Sequence, residues 1–314
     1  MNSPLIREDT LSVMSYNVQC IPWYLAPGYN IGIRARILPK YLVELVRKYA
    51  VDVLILQECF DRNVFNTFKL ALQTLLPFST DLIGLKNDWD STVDNSNRWL
   101  ILTNGGVCIM SRYPILERHQ LIFKNCRNTC SLASKGACVA VISKAGKRVN
   151  VVGTHLQAYD GPAKTVRQKQ YKEIIHWLEL LSRSEHGVSD DDPFILAGDL
   201  NTCCLTDTPE FKAMLSPREK NFIKFSHTLG DKDPTYCSIT NDYCKMCNVD
   251  SISSVFDYIL AGPGVRVVHP QTVVRDKLHA PIRVRKYYLH CIGTCTMETY
   301  NPSDHYPVYS ILAF

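Results

Sequence analysis

The feature that most constrains this chain is an alternation of short apolar runs, rich in Val, Ile and Leu, with longer amphipathic runs, sustained from residue 11 almost to the end. The short runs are Leu11–Tyr16, Val51–Gln57, Gly106–Ser111, Ala137–Ser143, Arg148–Thr154, Phe194–Ala197, Phe256–Leu260 and Val308–Leu312. Several are apolar on both faces, which predicts strands in sheets that are covered on each side. Helical period appears in Arg36–Tyr49, where Leu38, Leu42, Leu45, Val46 and Tyr49 share one stripe, and again in Asn63–Leu76 and Ala163–Leu181. Pro39 falls in the first turn of the earliest of these, a position that tolerates proline. Strands and helices this interleaved, with hairpins such as 137–154, predict an α/β fold: two packed mixed β-sheets flanked by helices, in one domain over residues 1–314.

Composition narrows the partners. At 46% hydrophobic the chain builds a sizeable core, and 35 basic against 30 acidic residues leave a net charge of +5, too mild to announce a polyanion. An anionic or zwitterionic membrane surface fits that charge as well as DNA does. The opening MNSPLIREDTLSVMSYN lacks a basic start followed by an apolar region, so no signal peptide is predicted. No apolar run approaches the ~18 residues that span a bilayer. The expectation is a soluble monomer, cytoplasmic by default, with peripheral membrane association and secretion by another route left open. The 13 cysteines are odd in number, so at least one thiol stays free in a monomer. Cys237, Cys244 and Cys247, with Cys291 and Cys295, lack the paired spacing of a zinc site; reduced thiols or one or two disulfides both remain open.

Polar residues collect where the apolar runs end. Asn17 follows the first run, Glu58 the second, His155 the fifth, and Asp199 and Asn201 the sixth. Asp257 lies at the start of the seventh, and Asp304 and His305 precede the last. In a mixed sheet the carboxyl ends of some strands share a rim with the amino ends of their antiparallel neighbours, so residues spread over the whole chain can meet there. Singly, each reads as a turn residue or a polar group leaving the core. Turns alone do not account for so many at strand termini. Together they suit attack of water on a phosphodiester. Carboxylate and amide oxygens are hard ligands for Mg²⁺ or Mn²⁺. One histidine can deprotonate the water, and a second can protonate or stabilise the leaving side. No G-x-S-x-G elbow offers a serine nucleophile.

Six segments then carry a family resemblance: M-S-Y-N-V (Met14–Val18), L-Q-E (Leu56–Glu58), G-T-H-L-Q-A (Gly153–Ala158), A-G-D-L-N (Ala197–Asn201), F-D-Y-I-L (Phe256–Leu260) and S-D-H-Y-P-V (Ser303–Val308). In this order they resemble the endonuclease/exonuclease/phosphatase superfamily. Within it the chain is similar to the neutral sphingomyelinases, including the secreted bacterial ones. That narrower likeness rests on G-T-H-L-Q-A, on Asn104–Ile115, on S-K-G (Ser134–Gly136) and on Val166–Ile174. The resemblance implies a four-layer α/β sandwich and a Mg²⁺- or Mn²⁺-dependent hydrolysis of sphingomyelin or a related phospholipid. It implies Glu58 as the principal metal ligand, helped by Asn17, Asp199 and Asn201, with Asp304 a further ligand. It implies His305 as general base oriented by Asp257, and His155 as the group that steadies the phosphoryl and leaving oxygens. Asp199 and Asn201 count in the catalytic set as well as among the ligands.

The chain also departs from those bacterial relatives. They carry a disulfide beside the active site; Cys126 or Cys130 stands where one half would be, and Gly161–Lys164 offers no partner. They insert an aromatic-tipped hairpin into membranes, whereas the matching stretch here, Asp276–Tyr288, has Ala280, Pro281 and Ile282 where bulky aromatics are expected. That region mixes Arg275, Lys277, Arg283, Arg285 and Lys286 with Leu278, Ile282, Val284, Tyr287 and Tyr288. It reads either as a solvated hairpin with its aliphatic residues on the core or as an interfacial hairpin on anionic lipid. Two rival functions stand beside the lipid phosphodiesterase. A metal-dependent nuclease would use the same fold, and the modest charge disfavours it. A catalytically dead binding protein would have lost a ligand or a histidine, and none is lost.

Overall fold

The computed structural model describes residues 8–25, 30–86, 88–184, 187–216, 223–248, 250–287 and 294–314. A six-stranded sheet runs in the order β14 (Arg266–Val273), β17 (Val308–Ala313), β1 (Thr10–Asn17), β2 (Val53–Gln57), β5 (Cys108–Ser111) and β3 (Phe78–Ser79). A seven-stranded sheet runs β10 (Ser226–His227), β13 (Asp257–Ala261), β9 (Phe194–Asp199), β8 (Lys147–His155), β7 (Gly136–Lys144), β6 (Ile115–Ile122) and β4 (Ser91–Asp94). Two small pairs, β11 (Tyr236–Cys237) with β12 (Ser253–Ser254) and β15 (Ile282–Tyr287) with β16 (Thr294–Thr299), lie outside them. The helices are α1 (Ile31–Lys48), α2 (Arg62–Leu72), α3 (Pro162–Ser182), α4 (Thr208–Leu215) and α5 (Asp242–Cys247).

Strand alternation produces four layers. Val13, Ile55 and Ile109 of the first sheet meet Ala140, Val151, Ile195 and Ile259 of the second in a shared core. Their neighbours in sequence point the other way. Met14, Leu54, Leu56 and Met110 pack on α1 and α2 through Leu38, Leu42, Val46, Phe65 and Phe68. Val139, Val152, Leu196 and Leu260 pack on α3 through Ile174, Ile175, Leu178 and Leu181. Both faces of each sheet are therefore covered, which is why the strands read as unbroken apolar runs. Each such buried aliphatic side chain contributes about 1.5–3 kcal/mol relative to exposure.

The structure corrects three local expectations. First, α1 begins at Ile31 rather than Arg36, so Pro39 lies inside the helix and not in its first turn. Tertiary contacts start the helix early. The Asn30 side chain accepts from the Arg285 backbone N–H at 2.9 Å and donates to the Arg285 carbonyl at 2.9 Å. Second, the apolar runs left β6 and β14 unmarked, and both are strands despite Glu117-Arg118-His119 in one and Pro270 in the other. His119 is wholly buried because Ser91 Oγ (2.8 Å) and Glu117 Oε2 (3.2 Å) hold its ring, and β14 is a sheet edge where proline is tolerated. Third, Ala280–Ile282 is not a hairpin tip. The hairpin is β15–β16, with Ile282 opposite Thr299 and Tyr287 opposite Thr294. Leu278, Ile282 and Val284 are buried, so the aliphatic face of this region lies on the core, as the first of its two readings expects. Tyr288 and the side chains of Lys286 and Tyr287 lie outside the described residues.

Candidate active site

Topology brings the polar strand ends to one rim. β1 and β2 run parallel, so Asn17 pairs with Gln57 and Glu58 comes next. β17 is antiparallel to β1, which sets the start of β17, just past Asp304 and His305, against the end of β1. In the second sheet β8 and β9 are parallel with His155 opposite Asp199, and β13 is antiparallel with Asp257 opposite Asp199. His155, Asp199 and Asp257 thus form a row across three adjacent strands.

One atom, Asp199 Oδ2, is the hub of the site. It accepts from Asn17 Nδ2 at 3.0 Å and lies 3.5 Å from His155 Nε2 and 3.8 Å from His305 Nε2. Asn17 Nδ2 also donates to Glu58 Oε1 at 3.1 Å, linking the two sheets through their carboxylates. His305 Nδ1 is 2.8 Å from Asp257 Oδ2, and its ring packs 4.8 Å from that of Tyr236. Asp257 is fully buried. Asp199, Asp257 and His305 have atoms mutually within 4.8 Å. With Asp257 engaged on the imidazole, this trio is a histidine held between carboxylates rather than a ligand set.

The remaining expected residues flank that centre. Asn201 supports Asp199, its backbone N–H donating to Asp199 Oδ1 at 2.9 Å, while its Nδ2 donates to the Leu156 carbonyl at 3.1 Å. Asp304 sits behind the centre, accepting from Gln19 Nε2 and from Ser303 Oγ. Asn17 turns its amide nitrogen to the carboxylates; its oxygen accepts the Gln19 N–H at 3.0 Å. In this arrangement Asn17 braces two carboxylates.

Backbone strain concentrates here. Glu58, Asn201 and Gln19 have φ of 55°, 51° and 47°, the left-handed region, each at a cost of order 1 kcal/mol. Such strain persists only where surrounding contacts over-determine it. For Glu58 the following residues fix the turn, with Cys59 N–H on the Gly106 carbonyl at 2.8 Å and Cys20 N–H on the Glu58 carbonyl at 2.8 Å.

The electrostatics are those of a site short of positive charge. Burial raises the pKa of Glu58. Burial, with Asp257 adding, pushes Asp199 up to about 6, and burial, with Glu58 adding, pushes Asp304 up to about 6. Burial, with Lys135 and His305 adding, holds His155 well below the usual histidine range. For His305 burial opposes the charge, yet Asp257, helped by Asp199 and Asp304, holds it well above that range. Glu58 Oε2, Asp257 Oδ1 and His155 Nδ1 are buried with no hydrogen-bond partner. With Asp257 set aside, Glu58, Asp199 and Asp304 offer hard carboxylate oxygens, the Oε2 of Glu58 buried and partnerless; these are donors a divalent cation such as Mg²⁺ prefers, and the residues fit one.

Three contributors escaped the sequence reading. Lys135, 3% exposed, donates to the Leu156 carbonyl at 2.8 Å and bears on Glu58, Asp199 and His155. Its only trace was the S-K-G segment. Gln19 holds Asp304. Arg34, fully buried on α1, donates to the Pro302 and Gln19 carbonyls at 2.7 Å each and to the Val18 carbonyl, and stacks 4.7 Å from the Tyr243 ring. Nothing local in its sequence separates it from a surface arginine. Cys126, Cys130, Cys237 and Cys244 are free thiols; Cys291 and the side chain of Cys295 lie outside the described residues.

A double sheet flanked by helices, with acidic residues and two histidines on one rim, places the chain in a definite class. It belongs to the endonuclease/exonuclease/phosphatase family, whose model matches residues 14–305. Sphingomyelinase C of Bacillus cereus is 27% identical over 315 residues, covering 96% of this chain and 88% of the relative. Phospholipase C of Staphylococcus aureus is 30% identical over 240 residues, covering 74% and 69%. Among solved structures, a double mutant of Staphylococcus aureus beta toxin with bound magnesium ions superposes with a TM-score of 0.78 at 27% identity, covering 96% of this chain and 99% of that one. Among the described residues no helix is long and apolar enough to cross a membrane.

Proposed function

We propose that this chain is a Mg²⁺- or Mn²⁺-dependent phosphodiesterase that hydrolyses sphingomyelin, or a closely related choline phospholipid, to ceramide and phosphocholine. The observation that carries the reading is the convergence of the Asp257–His305 pair and His155 on Asp199 Oδ2, beside the partnerless oxygen of Glu58. The names of the relatives point to the same substrate class. Glu58 and Asp199 would hold the cation, with Asn201, Asp304 and a reoriented Asn17 completing the oxygen set. When bound, that cation offsets charge on the phosphoryl and leaving oxygens and opposes the carboxylates that keep His305 protonated.

The chain's own residues do the rest. Asp257 fixes the His305 ring through Nδ1, leaving Nε2 to accept a proton from water. The water oxygen bonds to phosphorus as the bond from phosphorus to the ceramide oxygen breaks, and the released proton ends on that oxygen. His155, neutral because buried beside Lys135, donates a hydrogen bond from Nε2 to the phosphoryl or leaving oxygen. Lys135 adds a fixed positive charge to the same rim. We read residues 1–314 as one catalytic domain, acting as a monomer that meets membranes peripherally. Purified protein with Mg²⁺ is to be assayed in parallel on sphingomyelin, lysophosphatidylcholine and plasmid DNA. Preferential release of phosphocholine from sphingomyelin is expected; nicking of DNA without lipid turnover would replace this reading with the nuclease.

A further inference from the structure

We infer that this chain docks on lipid bilayers through an aromatic ridge beside the catalytic rim, formed by Trp99, Leu100, Leu102 and Tyr159 and supplemented by Trp23 and Tyr24. The inference rests on the reading of the site as one for a membrane phosphodiester, since it names the surface by which that site reaches its substrate. Trp99 is 93% exposed, Trp23 68%, Tyr24 60% and Tyr159 55%. All four lie in loops at the catalytic end of the sheets. Trp23 and Tyr24 follow Asn17 and Gln19 out of β1, Trp99 precedes β5, and Tyr159 is four residues beyond His155. Large apolar residues exposed toward the opposite end, Leu70 on α2, Leu116 on β6, Leu180 on α3 and Val268 on β14, are single aliphatics. Scattered exposed aliphatics need no explanation, but tryptophans and tyrosines gathered on one rim do.

The Trp99–Leu102 loop and Tyr159 rest on one support. The Leu102 N–H donates to the Leu132 carbonyl at 2.8 Å, and Thr103 bridges Ala133. The Arg98 guanidinium donates to the Ser131 and Ala133 carbonyls at 3.2 and 2.9 Å. The Tyr159 hydroxyl lies 3.0 Å from Thr129 Oγ1 in the same 3₁₀ turn, Asn128–Leu132. Asn104 ties the segment to the metal side of the rim, its Nδ2 donating to the Phe60 carbonyl at 2.7 Å. Arg98 Nη1, Asn104 Nδ2 and the Leu102 N–H are held by the protein, and the Trp99 and Tyr159 side chains are exposed. Trp and Tyr are the side chains favoured at the head-group level of a bilayer. Arg127, exposed beside the same turn, adds a cation at the height of lipid phosphates. A folded protein partner would need no such bias toward the catalytic mouth, whereas a bilayer holding the scissile ester must approach that mouth.

The test uses the full chain carrying Trp99→Ser, Leu100→Ser and Leu102→Ser together, with Leu70→Ser plus Leu180→Ser as the control on the other end. Binding is measured by co-sedimentation with sphingomyelin-free phosphatidylcholine vesicles, so that it does not depend on turnover. Hydrolysis is measured on sphingomyelin vesicles and on a short-chain sphingomyelin kept monomeric. The ridge variant should lose about tenfold or more in vesicle affinity and in vesicle turnover while hydrolysing the monomeric substrate at the wild-type rate. The control should match wild type throughout. Unchanged vesicle affinity in the ridge variant, or a wild type that does not bind vesicles, would overturn the inference. A wild type that binds vesicles through the ridge yet hydrolyses neither lipid would retire the proposed activity and leave the docking surface standing.

Discussion

At the residue scale the account turns on Glu58. Its left-handed backbone and its buried, partnerless Oε2 make it costly in the absence of a cation and suited to one. Glu58→Gln keeps the shape and the contact with Asn17 but removes a charge from the donor set. Mg²⁺ affinity measured by calorimetry and the hydrolytic rate should both collapse, with the circular dichroism spectrum unchanged; wild-type metal affinity would remove Glu58 from the set. His305→Ala and His155→Ala should each lower kcat by ~10²-fold or more, the usual scale for a positioned acid or base. Asp257 acts through His305, to which it is bound at 2.8 Å, so Asp257→Asn combined with His305→Ala should cost little more than His305→Ala alone. Strictly additive losses would show Asp257 working elsewhere. These residues were legible in the sequence because each lies at one end of an apolar run, where burial leaves no room for a casual polar group. Lys135 and Arg34 were not legible, because a lysine or an arginine is ordinarily a surface residue and only tertiary contacts buried these two.

At the scale of elements, the rim depends on close approach between β8 and β9. A Cβ at Gly198 would lie 1.9 Å from the Thr154 carbonyl oxygen, a backbone atom that cannot turn aside. Gly198→Ala must therefore part the two strands immediately before His155 and Asp199. A loss of roughly 3 kcal/mol in urea unfolding is expected, with near-complete loss of hydrolysis; wild-type stability would mean the strands tolerate the separation. Arg34 performs a comparable task from α1, stapling the chain leaving β1 to the loop before β17. Arg34→Ala leaves buried carbonyls without donors and should destabilise by about 3 kcal/mol or more, read as a lowered melting temperature. The eight strands β1, β2, β5, β7, β8, β9, β13 and β17 and the three long helices were readable from periodicity. The start of α1, the strands β6 and β14 and the short helices were not, because Asn30, His119 and Pro270 take their conformations from partners distant in sequence.

For the whole molecule, two sheets covered by helices leave only their ends free, and one end gathers the acidic residues, both histidines and the exposed tryptophans. This explains why motifs scattered from Asn17 to His305 meet at one rim. It also explains why mixed strand directions are required: parallel β1, β2, β8 and β9 bring carboxyl ends, while β13 and β17 bring amino ends. Layering was implied by apolar runs with two buried faces, but the register that aligns His155, Asp199 and Asp257 was not, since no pairing partner is written in a single strand. The central claim is that water, activated at this rim, attacks phosphorus in a choline phospholipid. It is tested most directly by running the reaction with sphingomyelin and Mg²⁺ in water enriched in ¹⁸O and weighing both products. The account predicts one ¹⁸O in phosphocholine, none in ceramide, and no product after exhaustive chelation until Mg²⁺ is restored. Label in ceramide, or undiminished turnover after chelation, would contradict it.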